Sequence, residues 1–164
     1  MDTTINNLSL RREVAGGSVQ VQVSGHRQIP HMSDAFIEVW SPTLEGAFEA
    51  SAAGLVSVIT DLRRIRKTIK VKTPQLKGND LEELLYAWLE FILVNFDTEK
   101  LLLPRASIAI EKERTKFVLN ATASGERFDP DRHVLKREVK AVTYHEMKIA
   151  RRAQGYRLRF LLDL

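Results

Sequence analysis

Cysteine is absent from the 164 residues. That one absence excludes disulfides, thiolate zinc sites, iron–sulfur clusters and a cysteine nucleophile, and it is compatible with a cytoplasmic setting. Phosphate loops are missing too. Gly16-Gly17 leads into no helix that carries a lysine, and no Walker pattern occurs. Ser33, Ser107 and Ser124 all lack a Gly-x-Ser-x-Gly elbow, which argues against a serine hydrolase. Long hydrophobic runs are lacking. The longest, Leu84 to Phe96, is interrupted by Glu90 and Asn95 and is too short to span a bilayer. The first 30 residues hold no apolar core of a secretory signal. We expect a cytoplasmic chain with no membrane partner.

Charge is close to balanced. Lys plus Arg number 25 against 21 Asp plus Glu, a net of +4, short of the dense basic stripe of a dedicated nucleic-acid binder. At 44% hydrophobic and 28% charged residues, the composition is that of a folded domain rather than a disordered chain. The length fits one domain.

Residues 1 to about 17 are polar and read as a loose tail. Val19, Val21 and Val23 alternate with polar residues and signal a short strand. Residues 1–26 are therefore expected to form a partly flexible arm that can carry an extra strand, with the domain proper over 27–164. Ala35, Ile37 and Val39 alternate with Phe36, Glu38 and Trp40, a strand buried on both faces. Ser41-Pro42 then reads as N-cap and first residue of a helix, which runs to about Thr60-Asp61. Arg63 to Thr73 reads as a strand ended by Pro74. A second helix opens at Asn79 or Asp80, with Glu82 and Glu83 in its first turn and a broad apolar stripe from Leu81 to Leu93.

The remainder is strand-like. Turns are expected at Glu113-Arg114 and Gln154-Gly155, with an irregular excursion from Gly125 to His133. The order predicts an α+β fold, with two helices packed on a mostly antiparallel, mixed sheet.

Without cysteine, a metal site must use carboxylate, backbone oxygen or histidine, and oxygen ligands select hard cations. Asp34 opens a strand and Asp163 closes one. Read as ligands, they are an acid pair whose repulsion a divalent cation relieves. Read as structure, Asp34 caps a turn and Asp163 is a solvated end. His31 and Asp34, three apart, carry no zinc-type spacing. His145 shares its parity with Ala141, Thr143 and Met147 and reads as a sheet or core histidine. The run Arg63, Arg64, Arg66, Lys67, Lys70 and Lys72 can meet RNA phosphates or an acidic protein, or can be the solvated face of an edge strand. No aromatic interleaves it, so base stacking is not supported.

Several segments resemble the archease family. They are His31-Met32-Ser33-Asp34, Ser41 to Phe48, Thr60-Asp61, Asp80 to Leu89, Phe96 to Leu103, Gly125-Glu126 with Phe128 to His133, Glu138 to Met147, and the closing Asp163-Leu164. The resemblance covers about residues 27–164. It implies a non-enzymatic protein cofactor of the RtcB-type RNA ligase, promoting the ligase's GTP-dependent guanylylation and multiple turnover in tRNA splicing and RNA repair. It implies a bound divalent cation, Ca²⁺ first and Mg²⁺ or Mn²⁺ as alternatives. Carried over by position, the metal ligands are Asp34, Asp163 and Leu164 (through backbone or terminal oxygen). His31, Asp61, Arg132, His133 and Lys140 lie in matching motifs as ligase-contacting or supporting residues, and no residue is assigned a catalytic role. RNA is reached only through the ligase, and the oligomeric state is left open. The resemblance also admits a general chaperone or a modulator of a tRNA methyltransferase. Where the family usually has an acid before the histidine, this chain has Pro30.

Overall fold

The structure is a computed structural model that describes residues 9–12, 21–30 and 33–164. Its strands are β1 (Ser9–Arg12), β2 (Val21–Pro30), β3 (Asp34–Ser41), β4 (Ile69–Lys72), β5 (Leu76–Gly78), β6 (Leu101–Glu113), β7 (Lys116–Arg127), β8 (Ala141–Arg152) and β9 (Gly155–Asp163). Its helices are α1 (Leu44–Ile59) and α2 (Leu81–Glu99), with a short 3-10 turn at Leu62–Arg64. The expected tail lies outside the described residues except for β1, and so does Val19 of the strand signal that continues into β2.

The α+β fold stands, with its strands divided between two sheets. One has the order β1-β2-β3-β9-β8. In the other, β7 pairs with β6 along one edge and with β4 and β5, end to end, along the opposite edge. Every strand pair among the described residues is antiparallel. Both helices reach both sheets. On α1, Gly54 lies against Ile37 of β3, and the Glu49 carboxylate accepts from the Ile108 amide of β6 at 3.2 Å. On α2, Glu82 accepts from the Ile149 amide of β8, and Leu84 packs on Gly78 of β5. The core between the sheets includes Ile37, Phe48, Leu55, Leu85, Trp88, Leu102 and Phe160, all buried. Trp88 donates its indole N–H to the Phe48 carbonyl at 2.9 Å, so the largest core side chain buries no unpaired donor.

α2 forms where its sequence signals place it. Asp80 accepts from the Glu83 amide, and Glu83 reaches back to the Asn79 amide, a reciprocal cap that satisfies orphan donors at the helix start. The start of α1 differs from expectation. The N-cap is Thr43, whose hydroxyl accepts from the Gly46 amide at 3.1 Å. Ser41 remains in β3, opposite Tyr156, and its hydroxyl is hydrogen-bonded to that of Ser24. The ladder and that bond hold Ser41 in the sheet, and capping passes to the next hydroxyl residue.

The strand expected over Arg63–Thr73 is a strand only from Ile69 to Lys72. Its first part is the 3-10 turn, nucleated by Asp61, whose carboxylate accepts from the Arg63 amide at 3.0 Å. His145 is exposed rather than a core residue. The β8–β9 register shifts between Thr143 and Lys148, Glu146 has φ of 58°, and this irregularity turns His145 outward. The hairpin turn at Ala153-Gln154 ends on Gly155, whose φ of 125° and close approach to the Ser41 carbonyl suit glycine.

Candidate functional site

The first residue of β3 and the last of β9 meet in register. Asp34 pairs with Asp163, and Asp163 pairs in turn with Ala141, the first residue of β8. Directly opposed residues in an antiparallel pair project to the same face, with Cβ atoms about 4.5–5.5 Å apart. The two carboxylates thus stand side by side on half-buried residues at one end of the sheet. Lys140, just before β8, binds the same chain end twice. Its amide donates to the Asp163 carbonyl at 2.8 Å, and its ammonium donates to the main-chain oxygen of Leu164 at 2.8 Å. Asp34, Asp163, Leu164 and Lys140 therefore form one cluster. His31, next to it in sequence, lies outside the described residues.

The donors of this cluster are two carboxylates and backbone oxygens, the chemistry that hard divalent cations take. No group of three or more His, Cys, Asp or Glu with metal-binding arrangement occurs among the described residues. The Leu164 oxygen among these donors already accepts from the Lys140 ammonium. The Lys140 ammonium already offsets part of the negative charge.

A second constellation sits at the same end of the fold. α1 starts beside Ser41, crosses Ile37 at Gly54, and so ends toward the Asp34 end of β3. The Ile59 carbonyl accepts from the Lys136 amide at 2.8 Å, and Thr60 donates its hydroxyl to the Val134 carbonyl. Lys136 and Lys140 are four residues apart, so the end of α1 and Asp163 are separated by no more than about 20 Å. In this constellation Glu126 is buried and accepts three bonds on one oxygen: from the Arg66 amide at 2.7 Å, Arg132 at 2.6 Å and His133 Nε2 at 3.1 Å. His133 Nδ1 accepts from the Asp129 amide at 2.9 Å, which fixes the tautomer with its proton on Nε2, facing Glu126. Burial alone pushes the Glu126 pKa up. The bonds from Arg66, Arg132 and His133 outweigh it and hold the carboxyl below its ordinary value.

Asp61 is hydrogen-bonded to the Arg63 side chain and amide, which lower its pKa to about 2. Asp61 is thus spent on capping the 3-10 turn, and Arg132 and His133 are turned inward onto Glu126. These three brace the end of α1 and the 128–136 loop rather than join the strand-end carboxylates. That loop exposes two large apolar side chains, Val134 (63% exposed) and Leu135 (54%).

Sequence reasoning missed the buried acid Glu38. Its carboxylate meets Arg27 of β2 at 2.6 Å, Arg159 of β9 at 3.0 Å and Arg157 at 3.8 Å. The available signal was an acid inside an apolar strand, Phe-Ile-Glu-Val-Trp, together with arginines two apart in the last strand. Val134-Leu135 was missed as well, since an apolar pair reads as core by default.

The Archease protein family model matches residues 26–164. The chain is 43% identical to the protein archease of Pyrococcus furiosus over 125 residues, 76% of this chain and 87% of that one. It is 37% identical to that of Sulfolobus acidocaldarius over 134 residues, 82% of this chain and 94% of the relative. The solution structure of Methanobacterium thermoautotrophicum protein 1598 is similar in fold, with a TM-score of 0.73 and 28% identity over 85% of this chain and 98% of that one. By the extent of the family match and the identity to these relatives, the chain belongs to the archease family.

Proposed function

We propose that this protein is a non-enzymatic cofactor of an RtcB-type RNA ligase, acting in the cytoplasm in tRNA splicing and RNA repair. In this reading it makes and breaks no bond itself. It presents the strand-end cluster to the ligase and favours the ligase conformation competent for guanylylation by GTP. The observation that carries the reading is the in-register opposition of Asp34 and Asp163, with Lys140 fixing the adjacent backbone oxygens.

Asp34, Asp163 and the Leu164 oxygen would hold a divalent cation, Ca²⁺ by first preference. When bound, such a cation supplies positive charge at the tip and coordination positions that a partner's oxygens can fill. The protein's own residues do the rest. Lys140 orients the chain end. The Glu126–Arg132–His133 cluster holds the neighbouring loop. Val134 and Leu135 offer an apolar contact to a partner surface. Stimulation requires tighter binding to one ligase state than to the other, because equal affinity shifts no population.

The experiment is single-turnover guanylylation of a purified RtcB-type ligase with and without this protein. Acceleration by wild type and none by Asp34→Asn supports the reading. Equal acceleration by both removes the site assignment, and no acceleration by wild type removes the cofactor reading. A general chaperone would instead suppress aggregation of unrelated proteins without needing Asp34.

A further inference from the structure

The strand-end site leaves most of the basic run unused. Arg63 is held by Asp61, and Arg64 donates to the Arg132 carbonyl. Arg66, Lys67, Lys70 and Lys72 are exposed, and their side chains have no hydrogen bond or ion pair among the described residues. Ile69 and Val71 pack toward the core, so Lys70 and Lys72 lie on the outer face of the four-stranded sheet. Register carries that face across three strands. Lys70 stands opposite Ser124, and Ser124 opposite Arg105. Lys72 stands opposite Thr122, and Thr122 opposite Ser107.

Between these cations the outer face carries the exposed Ser107 and the half-buried Thr122, while Ser124 is buried. Arg105 donates to the Ile65 carbonyl at 3.2 Å, which brings its guanidinium toward Arg66. Past Arg66 a cleft of about 470 Å³ opens against the 126–132 loop. The acids of that cleft are already engaged, Glu126 by Arg132 and His133 and Asp129 by Arg132. The acids on the outer face of β6 are Glu111 and Glu113, at its far end opposite Val118 and Lys116.

Residues two apart on a strand are about 7 Å apart, and positions two strands over are about 10 Å apart. Four uncompensated cations in such an area attract a polyanion. The face has no aromatic for base stacking and no groove for reading base edges. Cations and hydroxyls are what phosphate oxygens accept from. An acidic protein would call for an apolar centre between the charges, where the accessible residues of this face are Ser107 and Thr122.

We propose that the outer face of the four-stranded sheet, through Arg66, Lys70, Lys72 and Arg105, binds the phosphate backbone of RNA. The choice of RNA as the polyanion rests on the ligase-cofactor reading, to which this adds a direct RNA contact. The row starts at the end of the fold that carries the strand-end cluster.

The test is fluorescence anisotropy of a labelled 15-nucleotide single-stranded RNA with the full chain alone, from 50 to 200 mM KCl. Four phosphate contacts predict a slope of log K against log salt of about −3. The double variant Lys70→Gln/Lys72→Gln should bind about tenfold more weakly at the low-salt end, with the slope reduced by about 1.4. Absence of wild-type binding at 50 mM, or an unchanged slope in the variant, overturns the proposal. In RNA-free guanylylation the double variant should stimulate the ligase as wild type does. Loss of that stimulation would assign the face to the ligase protein and also overturn the proposal. RNA binding by a wild-type chain that stimulates no ligase would leave this inference standing and remove the cofactor reading.

Discussion

Asp34 and Asp163 face one another directly across the β3–β9 pair, so two acids that are 129 positions apart in sequence share one rung of the sheet. Like charges placed opposite each other on a sheet are unfavourable, so removing one charge of the pair should not unfold the chain. Asp34→Asn is expected to keep the fold within about 1 kcal/mol of wild type while abolishing stimulation of the ligase. Urea denaturation and single-turnover guanylylation, run on the same preparation, check both halves. A variant that unfolds, or one that stimulates normally, contradicts the expectation.

Glu126 carries the loop that closes over the end of α1. Replacing it with Gln leaves the half-buried Arg132 and the buried His133 facing a neutral amide, which should lower stability. The pH dependence has a definite sign. The folded pKa of Glu126 lies below its ordinary value, so its contribution is complete above the unfolded pKa of about 4.3. It is lost as pH falls through the folded value. Acid denaturation curves of wild type and Glu126→Gln should converge below that window.

His26 acts in a different window. It is buried beside Gly54, its Nε2 has no hydrogen-bond partner among the described residues, and burial lowers its pKa from 6.5 to about 4. Between those values the unfolded chain binds the proton and the folded chain does not. Stability should therefore fall as pH drops from 6.5 toward 4, by about 3 kcal/mol in all. Urea midpoints of wild type and His26→Leu at pH 7 and pH 5 test this. The variant should lose most of the difference, and an equal pH dependence in both proteins rules His26 out as its source.

Gly125 sits where β6 crosses β7 at its irregularity between Leu102 and Arg105. A Cβ at this position would overlap the Leu102 carbonyl oxygen. Gly125→Ala should cost about 2–3 kcal/mol through overpacking and lower Tm by about 5–10 °C. A melting temperature within a degree of wild type would mean that the two strands separate there at no cost.

How much of this was legible depended on whether the signal was local. The start of α2 was readable because Asp80 accepts from the Glu83 amide and Glu83 from the Asn79 amide, all within five residues. Its stripe was readable because Leu84, Leu85, Trp88, Leu89, Ile92 and Leu93 follow the helical period and are all buried. Ser41 and Thr43 are both good caps, and the ladder to Tyr156 and the Ser24 hydroxyl across the sheet decide between them. The alternation from Ile65 to Val71 suggested one strand, yet Ile65 is buried as the cap of the 3-10 turn and only Ile69 and Val71 belong to β4. Asp34 and Asp163 stood out as acids at strand ends and were assigned as ligands by resemblance to a family, as Lys140 was assigned a supporting role. Their meeting could not be read at all, because periodicity gives a strand its faces but not its partner's offset.

That offset is held elsewhere. Glu38 lies on the same face of β3 as Asp34, four residues on, and in the same pairing it stands between Arg27 on one side and Arg159 on the other. A slip of one residue would turn Glu38 away from these arginines and strand a buried carboxylate, while placing Asp34 opposite Leu162. The arginine cluster thus works as an index pin for the two strands. Four residues along the strand from the tip, it helps set which atoms the tip presents. A change at Glu38 would loosen the register on which the tip depends without altering a residue there.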